Sequence, residues 1–295
     1  LDDRGAFSPA RSSYTSTDLD FASLAVPVTL WGKPVTFQGA WRQLYTLDDR
    51  EVVSITREPL VPEGPPPLRI DSNYDLVGGV NLISLAVAAK LTSRLALGGS
   101  FNMWRGDWSQ DQAVSETPLS GPGLPEYGTG HETDRIRGDS FTLGLMLTYP
   151  RFNLGLVYQG PLSSSFEGQL WRSRSGVPPA EPIEVEGTLR FPRSLGLGGA
   201  WRPASRWTVA LDLSWDEWTD TFLDTPLTGG RRSFFDGQPP DRTSTRNTLS
   251  WNAGAEHLFL GEGFIVPLRF GVAYEPQGAR SPYTRDPVNY TMLAV

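Results

Sequence analysis

The chain has no cysteine. That excludes a disulfide framework and a thiolate metal site. Its two histidines, His131 and His257, are far apart in the sequence, so an imidazole-built zinc site lacks its ligands and no metal site is expected. Long apolar runs are missing too. The longest, Leu82 to Leu91, contains Ser84 and Lys90 and is too short and too polar to be a spanning helix. Positive charge is not in excess: the net charge is -7, which speaks against a nucleic-acid partner. There is no initiator methionine and no signal peptide. A strand-like pattern, Val288 to Val295, is only beginning where the chain stops. The expectation is a single domain over 1–295, incomplete at both ends.

What the chain does have is glycine (31), proline (25) and ten tryptophans in a sequence whose mean hydropathy is only -0.29. Many turns and few helices follow from the first two. The stretch 189–222 shows how the rest is arranged. Trp207, Val209, Leu211, Leu213 and Trp215 alternate with Thr208, Ala210, Asp212, Ser214 and Asp216. A period of two is a β-strand with one apolar and one polar face. The two apparent strands here run about 12 residues or more, against a usual strand of about 5–6. A strand that crosses lipid on a tilt needs about 9–11 residues. Long strands whose apolar face is edged by aromatics fit a transmembrane β-barrel.

The same alternation predicts strands near 19–31, 34–47, 75–91, 94–108, 137–149, 152–169, 245–259, 264–275 and 287 onward, with two more in 189–222. The intervening segments alternate in length. Turns at 32–33, 92–93, 150–151, 203–205 and 261–263 are short, whereas 48–74, 109–136, 170–182 and 223–244 are expected as long loops. Tight turns at one end and long connections at the other are the habit of bacterial outer-membrane barrels. The fold expected is therefore all-β, an antiparallel transmembrane barrel of the outer-membrane type with about 11 strands present. A soluble lipocalin-like barrel or a propeller is the alternative, and no blade-length repeat supports the latter.

Three segments carry a family resemblance. Phe191 to Pro203, followed by Trp207 to Trp215 and Trp218, resembles the late barrel strands of the FadL family of outer-membrane hydrophobe transporters. Val266-Pro267-Leu268-Arg269-Phe270-Gly271-Val272-Ala273-Tyr274-Glu275-Pro276 resembles another strand of that family, and Leu82 to Asn102 resembles its hairpin before the large third loop. The resemblance implies a barrel of about 14 strands, with an N-terminal hatch in the lumen; on that count the hatch, the first strand and the last two lie outside this chain. It implies passive uptake of hydrophobic molecules across the bacterial outer membrane, long-chain fatty acids first and aromatic hydrocarbons second. Its partners would be those hydrophobic small molecules together with outer-membrane lipid and lipopolysaccharide, and no cofactor is implied. Other readings are a FadL-like scaffold that binds a protein partner in secretion, or a general porin.

The resemblance also implies sites. A hydrophobic surface groove would fall on 109–136 and 170–182, with Trp104, Trp108, Leu119, Leu124 and Tyr127 as candidates. Trp104 and Trp108 could equally be interfacial girdle residues. A kink would fall in the strand at 34–47, where Gly39 is the candidate, although an ordinary barrel glycine reads the same way. By alternation Arg42, Lys90 and Arg269 face inward, as do Asp212, Asp216, Glu256 and Glu275. An inward cation could hold a fatty-acid carboxylate or simply pair with those acids. No enzyme is expected: His131 is read as a loop residue and His257 as lying near a tight turn, and neither suits a Ser–His site.

Overall fold

The computed structural model describes residues 19–57, 67–119, 124–178, 181–280 and 286–294. Sixteen strands are present among them: β1 (Phe21–Leu30), β2 (Lys33–Thr46), β3 (Asp49–Arg57), β4 (Leu68–Lys90), β5 (Leu95–Pro118), β6 (Glu126–Thr148), β7 (Phe152–Gln159), β8 (Leu162–Arg174), β9 (Ile183–Phe191), β10 (Ser194–Ala204), β11 (Trp207–Asp216), β12 (Phe222–Thr225), β13 (Gly230–Ser233), β14 (Thr248–Gly261), β15 (Phe264–Arg280) and β16 (Pro287–Ala294). All pairings are antiparallel. Eleven strands form one continuous wall in the order β1-β2-β4-β5-β6-β7-β10-β11-β14-β15-β16. These correspond to the eleven strands that the alternation predicts. Among the described residues β1 does not pair with β16, so the wall is open there.

The register puts like with like. Leu24 faces Gly39, Gly39 faces Leu85, Leu85 faces Phe101 and Phe101 faces Phe141. Further round, Leu197 lies opposite both Leu156 and Leu213, and Val272 opposite both Ala253 and Leu293. Paired residues share a face, so the apolar halves of all the strands merge into one belt. Its side chains are uncovered: Leu24 is 71% exposed, Leu85 58%, Phe270 55% and Leu293 72%. A belt that runs around eleven strands far exceeds the few hundred Å² of apolar patch that a water-soluble monomer tolerates. The opposite face is small and polar. From it Ala88, Gly98, Gly144, Asn153, Gly198 and Asp212 line a common hollow of about 660 Å³. Apolar outside and polar inside inverts the pattern of a soluble barrel and is that of a lipid-spanning one. No helix among the described residues is long and apolar enough to cross a membrane.

The tight turns predicted at 32–33, 92–93, 150–151, 203–205 and 261–263 all lie at one end of the wall. At the other end the segments expected as long loops are largely strand. β3 and the first half of β4 occupy most of 48–74; β5 and β6 occupy all of 109–136 except the tip. Residues 58–66 and 120–123 lie outside the described residues. Segment 170–182 is strand as far as Arg174, and 223–244 contains β12, β13 and the turn of 3-10 helix Pro226–Thr228. The misreading has a physical cause. Beyond the belt both faces of a strand meet water or other polar groups, and the apolar alternation that marks a strand disappears. Ser109, Gln110, Asp111 and Gln112 of β5 show no such period yet pair in full register with β6.

Above the belt, therefore, the same hydrogen-bonded sheet continues as an upper sheet. β8 continues β7 past Gly160-Pro161, and β9 precedes β10 across Pro192-Arg193. β8 pairs with the upper half of β6, β9 with β8, and β12 with β9. This upper sheet curls until Val80 of β4, Ile136 of β6 and Leu189 of β9 form one buried cluster, with Trp104, Trp108, Phe191 and Leu223 packed against it.

Candidate functional site

The inner face just above the belt gathers chemistry that neither lipid nor bulk water requires. Trp104 sits on β5 in register with Leu82 and Gly138, on the same face as Asn102 and Ser100. Its indole nitrogen donates to Ser140 Oγ at 3.0 Å, which fixes the ring. It stacks on Phe191 with 6.4 Å between ring centroids and 13° between planes. Phe191 meets Phe234 at 6.0 Å, Phe234 meets Phe235 at 6.1 Å, and Phe235 meets Trp218 at 5.4 Å. Trp218 in turn donates to Thr248 Oγ1 at 3.1 Å. Five rings thus form a track from β5 to β14. Separations of this size are those of stacked and edge-to-face pairs.

The middle of the track is carried by an irregular segment, 234–247, and is nonetheless fixed. Asp236 accepts hydrogen bonds from the backbone N–H of Gln238 (3.1 Å) and Ser244 (2.8 Å) and from the hydroxyls of Thr243 (3.0 Å) and Ser244 (3.1 Å). Burial pushes its pKa up, but these donors, with Ser233, outweigh burial and hold it below the usual carboxylate value. Ser233, Thr243 and Thr245 join hydroxyl to hydroxyl across the base of the segment. Phe234 is held 54% exposed on this frame. An exposed ring on a rigid support is suited to contact with an apolar molecule.

At the β5 end of the track lies a pocket of about 270 Å³, lined by Phe21, Arg42, Ser84, Asn102, Trp104 and Gln159 among others. Asn102 is spoken for: its carbonyl accepts from Ser84 and Ser100, and its amide donates to Thr142. Arg42 is exposed on this inner face and has no hydrogen bond or ion pair among the described residues. The other inward cations differ. Arg269 is closed by Glu256, Nε to Oε2 at 2.8 Å, and Lys90 lies at the tight-turn end, in register with Ala96.

The groove candidates do not come together. Trp104 and Trp108 belong to the inner cluster, with Trp108 on Phe166 at 6.3 Å, and neither is a girdle residue facing lipid. Leu119, Leu124 and Tyr127 are exposed at the tip of the β5–β6 hairpin. Tyr127 is opposite Ser115, which at about 3.3 Å per residue stands roughly 23 Å along β5 from Trp108. Phe191, Phe234, Phe235 and Trp218 are track residues that periodicity does not mark, because three of them lie outside regular strand.

The kink falls elsewhere than Gly39, which pairs regularly on both sides. The register of β2 shifts between Gln43 and Tyr45, leaving Leu44 as the extra residue, and the strand breaks at Leu47–Asp48 before resuming as β3. Opposite the break Gly78 has φ +134°, and a Cβ there would collide with Trp108. Its N–H donates to Asp48 Oδ1 at 2.7 Å, and its carbonyl accepts from Leu47. Only glycine tolerates that backbone.

His131 lies in β6 rather than a loop, bonded through Nδ1 to Asp111 at 2.6 Å and packed on Trp171. His257 sits in β14 between Trp207 and Phe259, on the lipid-facing side. Neither has a nucleophile beside it in these contacts. Among the described residues no three His, Cys, Asp or Glu gather as metal ligands.

No protein-family model matches the chain, and no curated protein does. Two solved structures are similar in fold. One is titled CymD monoaromatic hydrocarbon channel, at 17% identity and TM-score 0.43, covering 86% of this chain and 72% of that one. The other is a Pseudomonas aeruginosa FadL homologue, at 10% identity and TM-score 0.45, covering 92% of this chain and 75% of that one.

Proposed function

We propose that this chain is the wall of an outer-membrane barrel of the FadL type and that it takes up hydrophobic molecules passively, long-chain fatty acids before aromatic hydrocarbons. The observation that carries the reading is the ring track beginning beside Arg42. A molecule with a carboxylate head and an apolar tail finds an unengaged guanidinium at Arg42 and, next to it, Trp104 followed by Phe191, Phe234, Phe235 and Trp218. A guanidinium binds a carboxylate through paired N–H donors. The rings offer apolar contact without a fixed polar demand, so the tail can advance from one to the next. Uptake of this kind needs no cofactor and no catalytic group. Tight turns on the periplasmic side and the tall hairpins on the cell surface set the orientation, which puts the track near the outer mouth.

The test is titration of the detergent-purified protein with a fluorescent long-chain fatty acid, competed by oleate and by toluene. Saturable binding that oleate displaces better than toluene is the expected result. Binding displaced better by toluene would move the substrate to aromatic hydrocarbons. No binding by a barrel shown folded by heat-shifted gel mobility would remove the proposal.

A further inference from the structure

The lipid-facing surface ends abruptly on β5 and β6. On β5 it runs Leu95, Leu97, Phe101, Met103 and then changes to Arg105 and Asp107; on β6 it runs Leu147, Leu145, Leu143, Phe141 and then changes to Asp139 and Arg137. Within the first rows of polar residues Arg105 and Arg137 are direct cross-strand partners. The full row is Asn81, Arg105, Arg137 and Ser165, two cations flanked by neutral hydrogen-bonding side chains. Like charges directly opposite each other on a sheet are destabilising unless something neutralises them.

The nearby acids do so only in part. Asp139 is 3.6 Å from Arg105. Asp107 is taken by Arg135 at 2.6 Å, and Glu167 also faces Arg135. Arg105 is held in place by the carbonyls of Trp104 (2.6 Å) and Gly138 (3.2 Å). The Arg137 side chain is exposed and has no hydrogen bond or ion pair among the described residues. One guanidinium is therefore fixed, the other is unengaged, and both stand where the apolar belt stops.

We infer that Arg105 and Arg137 form a binding site for the phosphate of a lipid headgroup in the leaflet on the long-hairpin side. The inference rests on the lipid-facing reading of the belt, which puts this row at headgroup height. Two adjacent guanidinium forks match the several oxygens of a phosphate ester better than ammonium groups do. Asn81 and Ser165 complete the row with neutral side chains able to bond sugar hydroxyls. Acyl chains of such a lipid would lie along Met103, Phe101 and Phe141 below.

The test is a titration in detergent of the wild type and the R105Q/R137Q variant with lipid A bearing both phosphates, with its dephosphorylated form and with inorganic phosphate. The phosphorylated lipid should bind wild type at least tenfold more tightly than R105Q/R137Q, and the dephosphorylated lipid should not distinguish them. Equal affinity of both proteins for the phosphorylated lipid overturns the site. Inorganic phosphate bound as tightly as the lipid overturns the headgroup assignment and leaves a free-anion site. If R105Q/R137Q does not fold, R105K/R137K keeps the charge, and weakened binding there supports recognition by the guanidinium forks, whereas unchanged binding overturns it. Protease protection in vesicles of phosphatidylethanolamine and phosphatidylglycerol separates the two levels. A chain that does not insert overturns the belt reading and this site together, while one that inserts but fails the titration overturns this site alone.

Discussion

Glu256 accepts from Arg269 across the β14–β15 register at 2.8 Å, whereas Arg42 on the same face has no ion pair among the described residues. One inward cation is consumed by the wall and the other is left for a ligand. Arg42→Gln should therefore weaken oleate binding about tenfold, in line with the roughly 1.5–3 kcal/mol of a hydrogen bond to a charged group, and leave toluene unaffected. Arg269→Gln should change neither. Competition against a fluorescent fatty acid reads both variants, and equal effects of the two substitutions would remove Arg42 from the site.

The track makes a separate prediction. Phe234→Ala and Phe235→Ala together should weaken every apolar ligand, oleate and toluene alike, because ring contact does not depend on a head group. The barrel should still fold, since both rings are partly exposed. Asp236→Ala leaves the rings present and removes their frame. Limited proteolysis should then cut within 234–247 faster than in the wild type, and affinity should fall without loss of the heat-shifted gel band.

Asp134 gives a pH dependence. It lies above the belt, in register with Trp108 and Gly168, and Oδ1 has no hydrogen-bond partner. Burial first, and then the charge of Glu132, push its pKa up to about 6, against a smaller opposing effect of the Trp108 indole. A carboxyl whose folded pKa is raised binds more protons folded than unfolded. Asp134 therefore costs no stability below about pH 4, and its destabilisation grows as pH rises to about 6 and is complete above that. Asp134→Asn should therefore stabilise the upper sheet at pH 8, by about 1–2 kcal/mol, and change little at pH 4. Hydrogen exchange of the β6 and β8 amides at the two pH values measures it. Equal protection of both proteins at pH 8 would mean that the carboxylate is solvated.

The belt is tested by one residue on each face of β11. Leu211 is outward and Ala210 inward. Leu211→Arg should lower folding stability in lipid vesicles by about 2–4 kcal/mol, the depth-dependent cost of a cation facing hydrocarbon. Ala210→Arg, which faces the hollow, should cost much less. Matching losses would mean that lipid does not cover the outer face.

The wall was legible in the sequence because the lipid imposes a strict period of two on every strand that touches it: Trp207 to Trp215 could be read residue by residue. The same cause explains the failures. Ser109 to Pro118 of β5 and Glu126 to Ile136 of β6 stand clear of the lipid, lack that period and read as loop, although their pairing is unbroken. Trp104 was legible as an aromatic of interest but not as an inward one tied to Phe191, since that contact depends on the curl of a sheet whose strands were not visible. Gly39 reads as a kink candidate because it is a glycine in a strand. The actual break at Leu47–Asp48 is held by a side chain, Asp48, that looks like any acid near a turn.

The height of the β5–β6 hairpin is set by paired strand rather than by loop, and this constrains how it can change. A loop of that length would tolerate loss of any number of residues. Here one residue lost from β5 below Trp108 would turn every side chain above it to the opposite face, putting Ser109 where Trp108 sits in the inner cluster. A cut below the inner cluster avoids that exchange only by removing two residues from each strand at once, in steps of about 7 Å. Between the membrane and the inner cluster its height is quantised.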